Sequence, residues 1–381
     1  MNLELSPGQR AARAEFRAFV AAEIAPHADR WDREAATPAA LIDQLRERGY
    51  LGSNVTREWG GAGRDMIAYG LLTEEIGRGC SSVRSLLTVH DMVAHAIQRW
   101  GSPAQKQRYL PAMARGEILG ALALSEPEAG SDAKSVQTAA VLSGEGAGDA
   151  WVLDGRKKWT TYGQLAGLFL VLAQADGKPT AFLVERETPG LDVRPLHGIT
   201  GTRASMLAEI FFEGVRVPKE NLLGRPGFGV SHVISAALEH GRYSVAWGSV
   251  GLGQACLDAS KAYAAGRRQF GVPIADHQLI RRMLTNMIVE VRAARLLCLR
   301  AGWLRDAGDP GASGEIMVAK YYASTMATRA ANDAVQIHGA NGCSEDYPVG
   351  RYLRDSRVME IIEGSTQIQQ ITIPLFELQE F

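Results

Sequence analysis

The sequence predicts an α+β protein in which a β-rich segment is set between two helical blocks. Three observations carry this reading. Residues 1–118 hold helical apolar periodicity, residues 119–225 hold short β-prone runs separated by turn signals, and residues 226–381 return to long amphipathic stretches. Strands and helices that alternated throughout would indicate a doubly wound nucleotide-binding sheet, and here they do not alternate. A chain of 381 residues exceeds the usual size of one hydrophobic core, so those three stretches are expected as three domains.

In the first block, a helix over 9–24 follows the start signal Ser6-Pro7, and further helices are expected over 38–48 and 66–78. The β-prone runs lie at 119–124, 151–153, 169–173, 181–184 and 208–212. Surface hairpin loops are expected at 144–149 and 176–179, both rich in glycine and aspartate. Helices then return over 230–264, 277–307 and 314–338. The last ends at the turn Gly339-Ala340-Asn341-Gly342, and a final helix starts near Thr366.

Composition narrows the function. With 41 Lys+Arg against 42 Asp+Glu the net charge is -1, and the basic residues are dispersed, so no nucleic-acid partner is expected. Cys80, Cys256, Cys298 and Cys343 lie far apart without metal-ligand spacing; they read as free thiols, with no metal site. The N-terminus shows neither a basic nor an apolar leader, and no apolar run of about 18 residues is present. A soluble cytoplasmic protein without a membrane partner is the expectation. The pair Gly251-Leu252-Gly253 sits in a helical pattern with Cys256 where a third glycine would stand. It reads as close helix packing and not as a pyrophosphate cradle.

Three separated strings carry more than any one alone: Leu124-Ser125-Glu126-Pro127-Glu128-Ala129-Gly130-Ser131-Asp132, Gly155-Arg156-Lys157-Lys158-Trp159-Thr160-Thr161, and Ile361-Ile362-Glu363-Gly364-Ser365-Thr366-Gln367-Ile368-Gln369. Between the second and third lie Arg267-Arg268-Gln269-Phe270-Gly271, His277-Gln278 and Gln336-Ile337-His338-Gly339-Ala340-Asn341-Gly342. In order and spacing these resemble the flavin-facing and catalytic signatures of the acyl-CoA dehydrogenase superfamily, and the resemblance covers nearly the whole chain. It implies the acyl-CoA dehydrogenase fold, with an N-terminal helical domain, a central β-domain and a C-terminal four-helix domain. It also implies FAD as cofactor and a separate electron acceptor that the sequence does not identify.

The resemblance assigns Leu124, Ser125, Gly130, Ser131, Trp159 and Thr161 to the flavin, with Trp159 against the ring. Arg267, Gln269 and Phe270 match residues that reach the cofactor of a neighbouring subunit, which implies a homodimer or homotetramer. Gln278, Gln336, Gly339, Ala340, Ser365 and Gln367 match further cofactor contacts. Glu363 matches the base that removes the α-proton of an acyl thioester, with Arg242 supporting it; Ser131, Glu239, Arg242, Trp247, Ile362 and Gly364 match the substrate side. Physical chemistry supports the base: a carboxylate abstracts a weakly acidic C–H proton only if its pKa is raised, and the apolar bulk of Ile361 and Ile362 favours that. Gly364 permits close backbone approach to the thioester.

Ile362, Leu122 and Trp247 depart from the fatty-acid pattern and turn the expectation away from long-chain substrates. Gly77-Arg78-Gly79-Cys80-Ser81-Ser82-Val83-Arg84 and Val89-His90-Asp91-Met92-Val93 further resemble the dehydrogenases of polyketide extender-unit supply. Those act on small hydroxyacyl groups held on an acyl carrier protein, as in hydroxymalonyl or methoxymalonyl supply. The alternatives are a catabolic short-chain acyl-CoA dehydrogenase, an oxidase or monooxygenase on the same fold, and a flavin-free interaction module.

Overall fold

The computed structural model describes residues 4–144 and 150–378. Of the loop expected at 144–149, residues 145–149 lie outside the described residues.

The N-terminal block is helical. Ser6 caps α1 (Pro7–Phe19) in a reciprocal capping box with Gln9, and proline opens the first turn. One π-helical stretch, Val20–Ile24, continues it. Then come α2 (Ala28–Glu34), α3 (Ala39–Glu47), α4 (Met66–Gly79), α5 (Ser81–Trp100) and α6 (Pro103–Ala114). Asp65 caps α4 and Ser102 caps α6, so polar side chains meet the first free N–H groups of each.

The strands are β1 (Gly120–Ala123), β2 (Ala139–Ser143), β3 (Ala150–Thr160), β4 (Leu168–Ala175), β5 (Lys178–Glu185), β6 (Leu191–Pro195), β7 (Ala208–Pro218) and β8 (Leu222–Leu223). They form one sheet in the order β6-β7-β3-β2-β4-β5-β8, with β1 parallel to β4. Both faces are covered, which alternation along β4 makes visible: Leu168, Leu170 and Leu172 enter one apolar cluster, Phe169 and Val171 another. Asp176 and Gly177, both with positive φ, form the two-residue turn between β4 and β5, and Lys178-Pro179, expected in the loop, belong to the strand.

The C-terminal block holds α7 (Ser235–Gly266), the short hairpin β9 (Arg268–Gln269) and β10 (Val272–Pro273), then α8 (Gln278–Asp306), α9 (Ala312–His338), α10 (Val349–Met359) and α11 (Thr366–Leu378). Helix α7 is the spine, packed on α4, α5, α8 and α9. Glycines permit the closest approach. A Cβ at Gly251 would stand 2.0 Å from the Glu74 carbonyl oxygen, and one at Gly253 2.7 Å from Met326 Sδ. That pair therefore packs helices. Cys80, Cys256 and Cys298 are buried free thiols and Cys343 is exposed. Among the described residues no helix is long and apolar enough to cross a membrane.

Candidate active site

Between α10 and α11 the chain makes a tight turn over 360–364, in which Glu363 (φ 55°) and Gly364 (φ 92°) both adopt left-handed backbone. For a glutamate this conformation is costly and persists only where its surroundings hold it. Here three side chains do so. Arg242 Nε donates to the Glu363 carbonyl at 3.0 Å, Lys320 Nζ donates to the Gly364 carbonyl at 2.7 Å, and Gln369 Nε2 lies 3.3 Å from both.

The Glu363 side chain turns inward over Gly241 of α7. A Cβ at Gly241 would stand 2.8 Å from Glu363 Oε2 and 2.6 Å from Met92 Sδ, so glycine is required there. Oε2 is buried and has no hydrogen-bond partner. Burial raises the carboxyl pKa to about 7, against the opposing pull of Arg242, Arg84 and Lys320. Desolvation also brings Lys320 down to about 8 and Arg84 to about 10. A buried carboxylate that is poised near neutrality, with one oxygen free, is suited to accept a proton from carbon.

Not all of the apolar bulk expected around the base contributes. Ile362 packs against the core, whereas Ile361 is 55% exposed, so the two flanking isoleucines do not enclose the carboxylate equally; Met92 of α5 and Gly241 of α7 lie close to it. Trp247 is fully buried against Gly70 of α4, where a Cβ would meet its Nε1 at 2.3 Å. Glu239 is engaged away from the base: it pairs with Arg305 of α8 and accepts from Ser313 Oγ.

A second group of expected residues lies at the sheet edge that follows β1. The Ser125 carbonyl accepts from Lys158 N at 2.8 Å, and Lys157 Nζ donates to the Leu124 carbonyl at 3.1 Å and to Glu126 at 2.6 Å. This buried pair ties the segment to β3. Past it, the β3–β7 register shifts between Lys157 and Thr160, and Trp159 stands there with φ 66° and 53% exposure. Gly130 and Ser131 are exposed, Thr161 is half-buried, and Thr160 Oγ1 is buried without a partner. An outward-facing indole beside hydroxyl and backbone donors fits a flavin, whose ring offers an apolar face and a polar edge.

The remaining residues gather at the far end of the helical block. Arg267 ends α7, Gln269 and Phe270 form the β9–β10 hairpin, and Gln278 opens α8. All four are exposed, Phe270 by 95% and with φ 53°. Gln336, Gly339 and Ala340 share this end, because His338 stacks on Tyr263 of α7 at 4.2 Å. Ser365, whose hydroxyl accepts from Ile368 N at 3.3 Å, and Gln367 follow Glu363 closely in the chain.

Sequence reasoning missed Arg84, Met92, Gly241, Lys320 and Gln369. A signal existed for two of them: Lys320 recurs at helical spacing with the buried Ile316, Ala323 and Ala327, and Arg84 sits among Val83, Leu86 and Leu87.

Residues 6–117, 121–215 and 227–374 match, respectively, the N-terminal, middle and C-terminal domains of acyl-CoA dehydrogenase. A probable acyl-CoA dehydrogenase, YngJ of Bacillus subtilis, is 41% identical over 98% of each chain. Glutaryl-CoA dehydrogenase of Desulfococcus multivorans is 38% identical over 99% of this chain and 98% of its own. Among solved structures, FkbI, for biosynthesis of the methoxymalonyl extender unit of Fk520, superimposes with a TM-score of 0.86 at 32% identity over 97% of this chain and 99% of its own.

Proposed function

The chain belongs to the acyl-CoA dehydrogenase family, FAD-dependent oxidoreductases acting on CH–CH bonds, and we propose that Glu363 is its base, acting on a short acyl thioester delivered by an acyl carrier protein. One observation carries the assignment of the base: a buried carboxylate oxygen without a partner, on a group poised near pH 7 and ringed by cations.

In this reading Glu363 Oε2 takes the proton from the carbon α to the thioester. FAD, when bound, would supply the acceptor for the β-hydrogen and its electron pair, so that with the proton on Glu363 the acyl chain is left with an α,β-double bond. Arg242 and Lys320 fix the turn that aims the carboxylate, and their charge limits the rise of its pKa. Leu124, Ser125, Gly130, Ser131, Trp159 and Thr161 would hold the flavin end.

Arg267 and its neighbours would serve a second copy of the chain. Gly241, under the base, and Arg267 lie 26 positions apart on or at the end of α7, which is about 39 Å at 1.5 Å per residue. A separation of that size favours contact with the cofactor of a neighbouring subunit, in a homodimer or homotetramer. Ser365 and Gln367 would contact the cofactor nearer its adenosine.

The carrier-protein reading is supported by the likeness to FkbI; the identity to YngJ and glutaryl-CoA dehydrogenase favours a CoA-borne substrate. Flavin-loaded protein mixed with one small hydroxyacyl group, on its cognate carrier protein or on CoA, separates the two. Faster flavin bleaching from the carrier protein, with a preference that weakens as salt rises, is expected. Equal rates, or a preference for butyryl-CoA, assign the protein to ordinary short-chain acyl-CoA oxidation. A yellow protein bleached by no acyl thioester refutes the dehydrogenase reading.

A further inference from the structure

Helices α5 and α7 run antiparallel, and the contacts between them form a ladder. Arg84 Cδ stands 2.8 Å from where a Cβ at Gly248 would be, Thr88 Oγ1 lies 2.7 Å from Ser244 Oγ, the His95 and His240 rings stack at 5.1 Å, and Trp100 meets His232 edge-on at 5.0 Å. The base occupies one rung, because Met92 Sδ and Glu363 Oε2 converge on Gly241. On the inner side of that rung both helices are closed: residues 83–94 of α5 and 243–253 of α7 are buried. On the outer side Arg99, Ser231 and Ser235 are exposed. The seam therefore reaches solvent at the end marked by Trp100 and His232. Arg99 lies seven positions beyond Met92 on α5, about 10 Å at 1.5 Å per residue.

That end is cationic and aromatic. Arg99 Cζ lies 5.9 Å over the Trp100 ring, Arg225 Cζ lies 5.9 Å over the Phe228 ring, and the two rings meet edge-to-face at 6.4 Å. His232, in the π-helical stretch Gly229–Ile234 that leads into α7, stacks on Phe228 at 4.2 Å. Lys178 joins the group from the start of β5, its Cδ 3.6 Å from where a Cβ at Gly227 would be. Arg99, Lys178 and Arg225 are exposed, and among the described residues none of them has a carboxylate within ion-pair distance. By contrast, the exposed Arg108 and Arg156 are held by Glu185 and Glu209. Segments 97–100, 176–178 and 224–232 hold those three cations against one carboxylate, Asp176. Stacking on a ring orients a guanidinium without neutralising it, and arginine and tryptophan are the residues that dominate binding energy at protein interfaces.

We propose that this surface docks the acyl carrier protein: Arg99, Lys178 and Arg225 receive the acidic helix around its modified serine, and the acyl arm reaches Glu363 from that end. The inference rests on the carrier-protein reading and names the surface responsible for it. Three cations on three separate elements match a row of carboxylates on one face of a helix, where neighbours recur every three or four residues, better than they match the single phosphate of the arm.

The test uses the FAD-loaded protein and one hydroxypropionyl group carried on acyl carrier protein, on CoA or on pantetheine alone. Flavin bleaching is followed over substrate and salt concentration, and binding of the unacylated carrier protein is measured alongside. In the doubly substituted Arg99→Glu, Arg225→Glu protein the KM for the carrier-protein substrate should rise about 10-fold or more, with kcat held and the salt dependence flattened. The CoA and pantetheine substrates should change far less. Replacing both arginines by glutamine should give a smaller loss in the same direction, with carrier-protein binding weakened in parallel. A charge-reversed protein that keeps the wild-type KM and affinity for the carrier protein overturns the docking surface alone and leaves the carrier reading standing. Equal slowing with carrier protein and CoA, pantetheine being unaffected, also overturns it and makes the arginines phosphate ligands. A wild type that neither binds the carrier protein nor prefers it to CoA overturns both.

Discussion

Around Glu363 the chain supplies its own contacts: three side chains hold two carbonyls of one strained turn, and the carboxylate oxygen is closed off from solvent. At the outer rim Trp159, Arg267, Gln269 and Phe270 reach outward, and Trp159 and Phe270 do so in left-handed backbone. The first region is over-determined by packing within one chain, so changes there should alter chemistry and its pH dependence. The second is exposed, and on the proposed reading changes there should alter cofactor retention and leave the fold nearly untouched.

The sharpest break in this contrast is Glu363→Gln. The amide is nearly isosteric but is no base, so flavin reduction by substrate should fall roughly 10²- to 10⁴-fold or more while FAD stays bound. Near-normal reduction would move the base elsewhere. The same variant tests the burial. Because the folded carboxyl titrates near 7 and not at its ordinary value, its contribution to wild-type stability is present below the ordinary value and lost as pH rises through about 7. The melting temperature of Glu363→Gln relative to wild type should therefore climb across that window and level off above it.

Next in size is Gly241→Ala. A methyl group 2.8 Å from Oε2 must displace the carboxylate, and misplacement of that order costs about 100-fold in rate. Lys320→Met should act more gently. It removes a cation that holds the base's pKa down, so the rising limb of the rate–pH profile should move to higher pH, with a loss of about ten-fold or less at pH 7. An unmoved limb would show that Lys320 only props the turn.

On the rim, Trp159→Ala should weaken FAD binding in a titration yet scarcely change apo-protein stability, whereas a core tryptophan would cost about 3–5 kcal/mol. Arg267→Ala, the smallest expected effect, should lower FAD retention and loosen assembly. Unchanged affinity and an unchanged oligomer would leave Arg267 merely solvated.

Much of the architecture was legible because periodicity is local. Ser6 and Asp65 cap the helices starting at Pro7 and Met66, and a proline precedes the one starting at Ala39, signals that need no tertiary information. Strand β6 escaped because Leu191–Pro195 is largely exposed and alternates weakly, and β3 ran on to Thr160 through the polar stretch 154–158, where pairing with β7 outweighs propensity. Helix α10 escaped for a related reason: its sequence is rich in arginine, and Arg351 is buried against Asp29 in the first helical block.

By itself the sequence determined the order of helical, β and helical segments, the family and the cofactor, and it singled out Glu363 as the candidate base, because these reside in short strings whose order along the chain carries the information. Only the tertiary structure decided which charges stand around that glutamate. Arg84 and Lys320 lie 279 and 43 positions before it, on helices whose apolar patterns make a lone cation look like an interruption. Once α5, α7 and α9 close on the turn at 360–364, the same cations share one low-dielectric space with the carboxylate, and burial sets its pKa. Desolvation and charge proximity depend on distance in space, which the order of residues does not specify.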